Sequence, residues 1–114
     1  MAKYLVLYSS PIPAAEMMAN TSPEQAQAGM DAWMAWAQKN GNGIVDLGVP
    51  LGSNMQVTEG SSSPGSSRAS GYSIIQADSL AAAAAMLEDH PHFHTPGGTI
   101  EVFEFLSMPG MGES

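Results

Sequence analysis

The stretch from Gly71 to Phe105 constrains the fold more than any other part of this sequence. Residues 72–77 are rich in β-branched and aromatic side chains, which predicts a strand. Asp78 or Ser79 follows and can accept a hydrogen bond from the first free N–H groups of a helix. The helix is predicted from Leu80 to Asp89, since this run contains five consecutive alanines, the residue that favours helices most.

The end of the same stretch predicts a turn and a second strand. His90-Pro91 ends the helix, because the residue before a proline is pushed out of the helical region. Gly97-Gly98 predicts a turn, and residues 99–106 predict a strand. The helix would pack on the sheet through a stripe of small and apolar side chains: Leu80, Ala83, Ala84 and Leu87.

The first half of the chain predicts a second unit of the same kind. Residues 3–8 predict a strand, and residues 44–47 predict a short one. Between them we predict a helix over residues 23–39, because Ser22 can cap it and Gln25 stands where a capping box needs it. Its predicted apolar face is Ala26, Met30, Trp33, Met34 and Ala37, with Trp36 to one side.

The order of the predicted elements indicates the fold class. A β-α-β-β-α-β order is that of the ferredoxin-like fold, an α+β architecture in which both helices cover one face of a four-stranded antiparallel sheet. A chain of 114 residues has the length of one domain with a single modest core. We therefore expect one domain over residues 1–114.

Two parts of the chain have the composition of loops. Residues 49–70 form a long connection in which 55–58 could pair as an extra strand, whereas 60–70 are composed like a flexible linker. Such a loop is either an exposed flap or a lid over a ligand, and the composition favours the flap. Residues 107–114 are expected to form a loose tail.

The predicted strands carry apolar side chains on both faces. In the first strand Tyr4 and Val6 alternate with Leu5 and Leu7, and the last strand likewise alternates aliphatic residues with Phe103 and a second phenylalanine. Two helices cover only one face, so the other would expose an apolar patch in a monomer. A homodimer that packs sheet against sheet would bury this patch, and we expect one.

The composition excludes several function classes. There is no cysteine, which excludes disulfides and thiolate sites. With three basic residues and a formal charge of -8, the chain would repel phosphate backbones and anionic lipids, so neither nucleic acid nor membrane is an expected partner. No glycine-rich phosphate loop or nucleophile elbow is present, and we expect no cofactor. The cytoplasm is the expected location.

Three histidines follow the alanine-rich helix, at positions 90, 92 and 94. In an extended backbone His90, His92 and His94 would point to one side and could share a metal ion. Imidazole is also suited to acid–base work near neutral pH. However, Pro91 works against an extended backbone, and a histidine at a helix C-terminus is favoured by the helix dipole alone. We therefore predict no metal, a catalytic His90, and ligand contacts by His92 and His94.

Two carboxylates and two tyrosines complete the candidate site. Asp46 ends a strand and Glu101 sits among phenylalanines, so either could act as the acid–base partner of His90. Asp46 could instead cap the turn at Gly48, and Glu101 could reach water. Tyr8 and Tyr72 are predicted to contact a ligand, although buried tyrosines are more often core residues.

Several segments of the chain resemble the YCII-related (YciI-like) family, also called the DGPF family. They are MAKYLVLYSS, IVDLGVPLG, VTEG and GYSIIQADSLAAAAAMLEDHPHFHTPGGTIEVFEF. The resemblance implies a dimeric α+β barrel, in agreement with the apolar strand faces. It implies little about activity, since most relatives have no assigned reaction. A few act on small aromatic substrates, and a histidine–aspartate pair has been proposed as their catalytic centre.

The chain departs from that family at two places. Where the family has Asp-Gly-Pro-Phe, this chain has Glu59-Gly60 followed by two serines. No histidine occurs between Met1 and Glu88, so the histidine of the family pair, on the first helix, has no counterpart.

Three functions remain open from the sequence. The first is a dimeric small-molecule-binding module with a pocket between the sheet and the long loop. The second is an enzyme with lyase, dehydrochlorinase-like or isomerase-like acid–base chemistry in the same pocket. The third is a structural or regulatory dimer. Because one fold serves many functions, only the geometry of the site can separate them.

Overall fold

The computed structural model describes residues 1–107, and its centre is a four-stranded antiparallel sheet in the order β2-β5-β1-β6. Three helices accompany it, and the α+β, ferredoxin-like class predicted from the sequence is confirmed. The elements are β1 (Ala2–Ser9), α1 (Ala14–Ala19), α2 (Pro23–Asn40), β2 (Ile44–Asp46), β3 (Met55–Thr58), β4 (Ser61–Pro64), β5 (Ala69–Ala77), α3 (Leu80–Leu87) and β6 (Thr99–Glu104).

Helix α2 begins as its sequence predicts. The Ser22 hydroxyl accepts a hydrogen bond from the Gln25 N–H at 3.1 Å, and the Gln25 side chain accepts one from the Ser22 N–H at 3.0 Å. This reciprocal pair satisfies two N–H groups that the helix itself cannot bond. The helix ends where Gly41 takes a left-handed φ of 48°, which glycine adopts without steric cost.

The apolar face predicted for α2 is wrong in its rotation. Trp36, placed to one side of the stripe, is 4% exposed and belongs to the core, whereas Met30 is 57% exposed and Met34 is exposed too. The Trp36 indole N–H donates to the Met86 carbonyl of α3 at 2.9 Å. The helix is rotated so that the large Trp36 side chain is buried and its one donor is satisfied. The residues of α2 that face the core are therefore Trp33, Trp36 and Ala37.

Helix α3 packs on the sheet through a narrower stripe than predicted. Ser79 caps it, since its hydroxyl accepts from the Ala82 N–H at 3.0 Å. Ala83 and Leu87 are buried, but Leu80 and Ala84 are exposed. Only the line through Ala83 and Leu87 faces the sheet, and the small methyl group of Ala83 allows close approach.

The long connection contains structure where a linker was predicted. The strand expected at 55–58 forms, but residues 61–64 pair with it as a second strand. Gly60 turns the hairpin with a left-handed φ of 77°. The serine-rich segment gave no strand signal because its pairing uses backbone groups, which every residue supplies.

The two faces of the sheet differ in what covers them. Tyr4, Val6 and Ile75 are buried beneath the helices. No helix among the described residues covers the opposite face, which has Leu5 between Ile74 and Phe103 and Leu7 between Tyr72 and Glu101. We call the apolar part of this surface the open sheet face: Leu5, Leu7, Tyr72, Ile74 and Phe103.

None of the helices within residues 1–107 combines the length and the apolar character needed to cross a membrane. The tail predicted for residues 107–114 lies, except for Ser107, outside the described part of the chain.

Replacing Ala83 by leucine should destabilise the protein by about 1–3 kcal/mol, because the larger side chain has no space between α3 and the sheet. Urea unfolding followed by circular dichroism measures the change. Ala84→Leu is the matched control, since Ala84 is exposed one residue away, and its effect should stay within about 0.5 kcal/mol. Equal effects at the two positions would contradict the packing of α3 described above.

Candidate functional site

A cavity of about 520 Å³ lies beside α2, between the first two helices and the segment that joins β2 to the long connection. The start of β5 closes one side. It is lined by Tyr8, Met17, Met18, Thr21, Gln25, Ala26, Gly29, Met30, Trp33, Leu47, Gly48, Val49, Pro50, Ser70, Gly71, Tyr72 and His92. None of these seventeen residues is Asp, Glu, Lys or Arg, so the lining carries no permanently charged side chain.

Tyr8 comes from the middle of the sheet and presents a neutral hydroxyl. The hydroxyl donates to the Ser73 hydroxyl at 2.8 Å, and Ser73 donates in turn to the Leu47 carbonyl at 2.6 Å. Burial raises the pKa of Tyr8 to about 12. The hydrogen bond to Ser73 lowers this pKa, but its effect is smaller than that of burial. The Tyr8 hydroxyl therefore stays protonated, and its proton is already used in the hydrogen bond to Ser73.

His90 lies behind the cavity wall and is 1% exposed. Three aromatic rings surround its imidazole, with centroids 4.8 Å away for Tyr8, 4.4 Å for Trp33 and 4.3 Å for Trp36. Its Nδ1 accepts a hydrogen bond from the His92 N–H at 2.9 Å, so the neutral ring carries its proton on Nε2. Burial lowers the pKa of His90 to about 4, and nearby His92 lowers it further while Asp89 opposes the shift.

The Nε2 atom of His90 is buried and has no hydrogen-bond partner among residues 1–107. A neutral N–H enclosed by aromatic rings can point at a ring face, a weak contact that replaces part of the lost hydration. The uncharged imidazole therefore fits this surrounding, whereas the imidazolium ion does not.

His92 is the histidine that borders the cavity. Its Nε2 lies 2.8 Å from the Ser9 carbonyl oxygen. Because a carbonyl only accepts, Nε2 carries the proton and Nδ1 is left as the acceptor of the neutral ring. Both neighbouring histidines thus carry their proton on Nε2, and His92 is the one placed to meet a ligand.

The structure brings three of the predicted site residues to the cavity and leaves four outside it. Tyr8, Tyr72 and His92 line it, and their contact with a ligand stays a prediction. Tyr72 also belongs to the open sheet face, since it pairs with Leu7, and its backbone carbonyl lies against Gly48 of the lining. His94 is exposed at the end of a short 3₁₀ helix, Pro91–His94, and is not part of the lining. That helix replaces the extended backbone that would have aligned the three imidazoles.

The three residues proposed as catalytic are not brought together. Glu101 is exposed opposite Leu7, on the face of the sheet away from His90. Asp46 is exposed, and its carboxylate accepts from the Gly48 N–H at 2.9 Å, so it caps the turn there. Neither carboxylate lines the cavity.

The sequence reasoning missed most of the residues that form the cavity. Met17 and Met18 come from the end of α1, and Met30 comes from the helix face that the predicted stripe placed in the core. Their common signal is three methionines on two consecutive helices. Methionine fills core gaps so often that this signal alone does not indicate a site.

No group of three or more His, Asp or Glu side chains within residues 1–107 has the arrangement of a metal site.

The comparisons with known proteins give a fold and no family. No protein-family profile matches the chain, and neither does any curated protein sequence. Among solved structures, the chain is similar to a 5-chloro-2-hydroxyhydroquinone dehydrochlorinase, TftG, from Burkholderia phenoliruptrix, in complex with 2,5-dihydroxybenzoquinone. The identity is 14%, the TM-score is 0.54, and the match covers 96% of this chain and 97% of the other. At this identity the likeness shows the shared fold alone.

The stability of the protein should fall as the pH falls from 6.5 toward 4, because the pKa of His90 drops from 6.5 to about 4 on folding. In that window the unfolded chain binds a proton that the folded chain does not, so unfolding is favoured by up to about 3 kcal/mol at the lower end. Urea unfolding at pH 7, 6, 5 and 4.5 gives the slope.

The His90→Gln variant should show a flatter slope over the same pH window, whatever its stability at pH 7. The control is His94→Gln, which removes an exposed imidazole and should keep the slope of the original chain. An unchanged slope in His90→Gln would mean that the buried imidazole is not the source of the pH dependence.

Proposed function

We propose that the protein binds a small organic molecule whose apolar, ring-containing body occupies the 520 Å³ cavity. The observation that carries this proposal is the lining itself, which combines methionine and aromatic side chains with no Asp, Glu, Lys or Arg. Ligand cavities are mostly apolar, with few polar groups that fix orientation, and their volumes are typically about 300–1,000 Å³.

The polar groups of the cavity suit a hydroxyl-bearing or carbonyl-bearing ring. His92 offers Nδ1 as an acceptor, while Thr21 and Gln25 line the helical side. Met17, Met18 and Met30 are flexible and polarisable, and thioethers make favourable contacts with aromatic rings. The bound 2,5-dihydroxybenzoquinone of TftG is a molecule of this size and kind, which supports the proposal at the level of a shared fold.

An enzyme that uses the same cavity is the second candidate. The Ser9 carbonyl orients His92, and an imidazole held in this way can take or give a proton at the substrate. TftG is a dehydrochlorinase, which agrees with acid–base chemistry on a ring. Chloride release from 5-chloro-2-hydroxyhydroquinone separates the candidates: release that His92→Gln abolishes would favour the enzyme, and binding without release would favour the module.

We propose further that the chain is a member of the YCII-related family and forms its sheet-to-sheet homodimer. The open sheet face supports the dimer, since it gathers Leu5, Leu7, Ile74 and Phe103 on a surface that no helix among residues 1–107 covers. A continuous apolar surface of this kind is typical of an interface. The fold shared with TftG supports the family assignment.

A cavity-filling substitution should block binding. Ala26→Phe places a ring inside the cavity, so the affinity for 4-chlorophenol should fall at least tenfold in isothermal titration calorimetry. Ala28→Phe is the matched control, because Ala28 is exposed on the same helix outside the lining. The proposal would be overturned if 4-chlorophenol and related phenols failed to bind the unmodified protein, or if both variants bound them equally well.

A charge on the open sheet face should dissociate the homodimer. We expect twice the chain mass for the unmodified protein by light scattering and a monomer for Phe103→Glu, whose carboxylate could not be buried between two sheets. Leu80→Glu is the control, because Leu80 on α3 is 49% exposed and Phe103 is 46% exposed. A monomeric unmodified protein would refute the dimer and leave the cavity unaffected.

A further inference from the structure

A second concave surface adjoins the cavity and has no role in the function proposed above. It is a groove of about 390 Å³ between the start of α1 and the two segments that lead into and out of the β3–β4 hairpin. We call it the Arg68 groove. Its lining includes Ser10, Asn54, Ser67, Arg68 and Ser70.

The charge of the Arg68 groove is opposite to that of the protein. The chain has 11 acidic and 3 basic residues, yet the lining contains no acidic residue and one of the three basic ones. Within residues 1–107 the only ion pair joins Lys39 to Asp89, so Arg68 has no carboxylate partner there. The hydroxyls of Ser10 and Ser67 and the second N–H of the Asn54 amide are also able to donate hydrogen bonds.

The backbone around Arg68 is fixed by hydrogen bonds to two other parts of the fold and by one bond within its own segment. The Arg68 carbonyl accepts from the Ser10 N–H at 3.1 Å. The Ser67 hydroxyl accepts from the Ala69 N–H at 3.2 Å, and the Ser67 carbonyl accepts from the Asn54 side chain at 3.3 Å. The exposed Arg68 side chain therefore extends from an anchored backbone, which needs no further ordering when a ligand binds.

Ser70 lines both the cavity and the Arg68 groove, so the two share a wall. Its hydroxyl donates to the Tyr8 carbonyl at 3.2 Å, which holds that wall against the end of β1. The lining of the cavity is uncharged, and the groove on the other side of Ser70 holds the only cationic side chain in either lining. The two surfaces together match a ligand with an apolar end and an acidic end.

We propose that the ligand is an organic acid with an aromatic or otherwise apolar body in the cavity and a carboxylate on a short chain in the Arg68 groove. This inference rests on the proposed binding function. The planar guanidinium matches a carboxylate with two parallel hydrogen bonds, and a groove of about 390 Å³ has room for a short chain that ends in one. The net charge of -8 does not prevent binding, because salt at about 0.15 M screens charges that lie more than about 8 Å away.

The test uses pairs of probes that differ only in charge. Phenylacetate, 3-phenylpropionate and 4-phenylbutyrate are each titrated beside the corresponding primary amide, which has the same shape and no charge. The three chain lengths allow for the span between the cavity and the guanidinium. We expect at least one acid to bind about 3- to 5-fold more tightly than its amide at 0.15 M salt, the size typical of a partly exposed ion pair.

The variant Arg68→Gln should bring that ratio to about one while leaving the affinity for the amide unchanged. Lys3→Gln is the matched control, since it removes the same charge from β1, outside both linings, and should keep the ratio. If Lys3→Gln abolishes the preference for the acid as fully as Arg68→Gln does, the preference comes from the net charge of the protein. That result would overturn the proposal.

The remaining outcomes separate this inference from the function on which it rests. If the amides bind and no acid binds more tightly than its amide, the cavity binds ligands and the role of Arg68 is refuted. If neither the acids nor the amides bind, and Ala26→Phe does not change the affinity for 4-chlorophenol, the proposed binding function fails and this inference fails with it.

Discussion

The packing of His90 among three aromatic rings is the contact on which the rest of this structure depends. The imidazole touches Tyr8 of β1 and Trp33 and Trp36 of α2, and its Nδ1 accepts the backbone N–H of His92. One side chain thus joins the sheet, the long helix and the turn after α3. Since the ring must stay neutral to remain in this position, its low pKa reflects how completely the cluster excludes water.

The cavity is a consequence of that cluster. Tyr8 and Trp33 present one side to His90 and the other to the cavity, so the rings that bury the imidazole also form the cavity wall. The bond from the His92 N–H to His90 and the bond from its side chain to Ser9 fix His92 at two points. Because its backbone and its side chain are both hydrogen-bonded, His92 is already ordered before a ligand binds. The core of the protein thus positions a residue of the proposed binding site.

The likeness to TftG illustrates how little a fold states about chemistry. The two chains share their architecture over nearly their whole lengths at 14% identity. A ferredoxin-like sheet with helices on one face can place many different side chains around the same space. Here the cavity lining is free of carboxylates, and its one imidazole is paired with a backbone carbonyl. These particular residues, and not the fold, limit the ligands and reactions that can be proposed for this protein.

The sequence alone determined the order of the four sheet strands and the two covering helices, the cap at Ser22 and the apolar character of both sheet faces. Each of these depends on neighbours within one or two helical turns or on strand alternation. Only the tertiary structure decided the rest. Which side of α2 faces inward depended on the bond from Trp36 to Met86, fifty positions away. The serine-rich strand β4 formed because β3 offered unpaired backbone groups. The sheet places Asp46 in a turn and Glu101 on the face away from His90, so neither carboxylate meets the histidines. Residues that share a site must be close in space, and local sequence does not record contacts between distant positions.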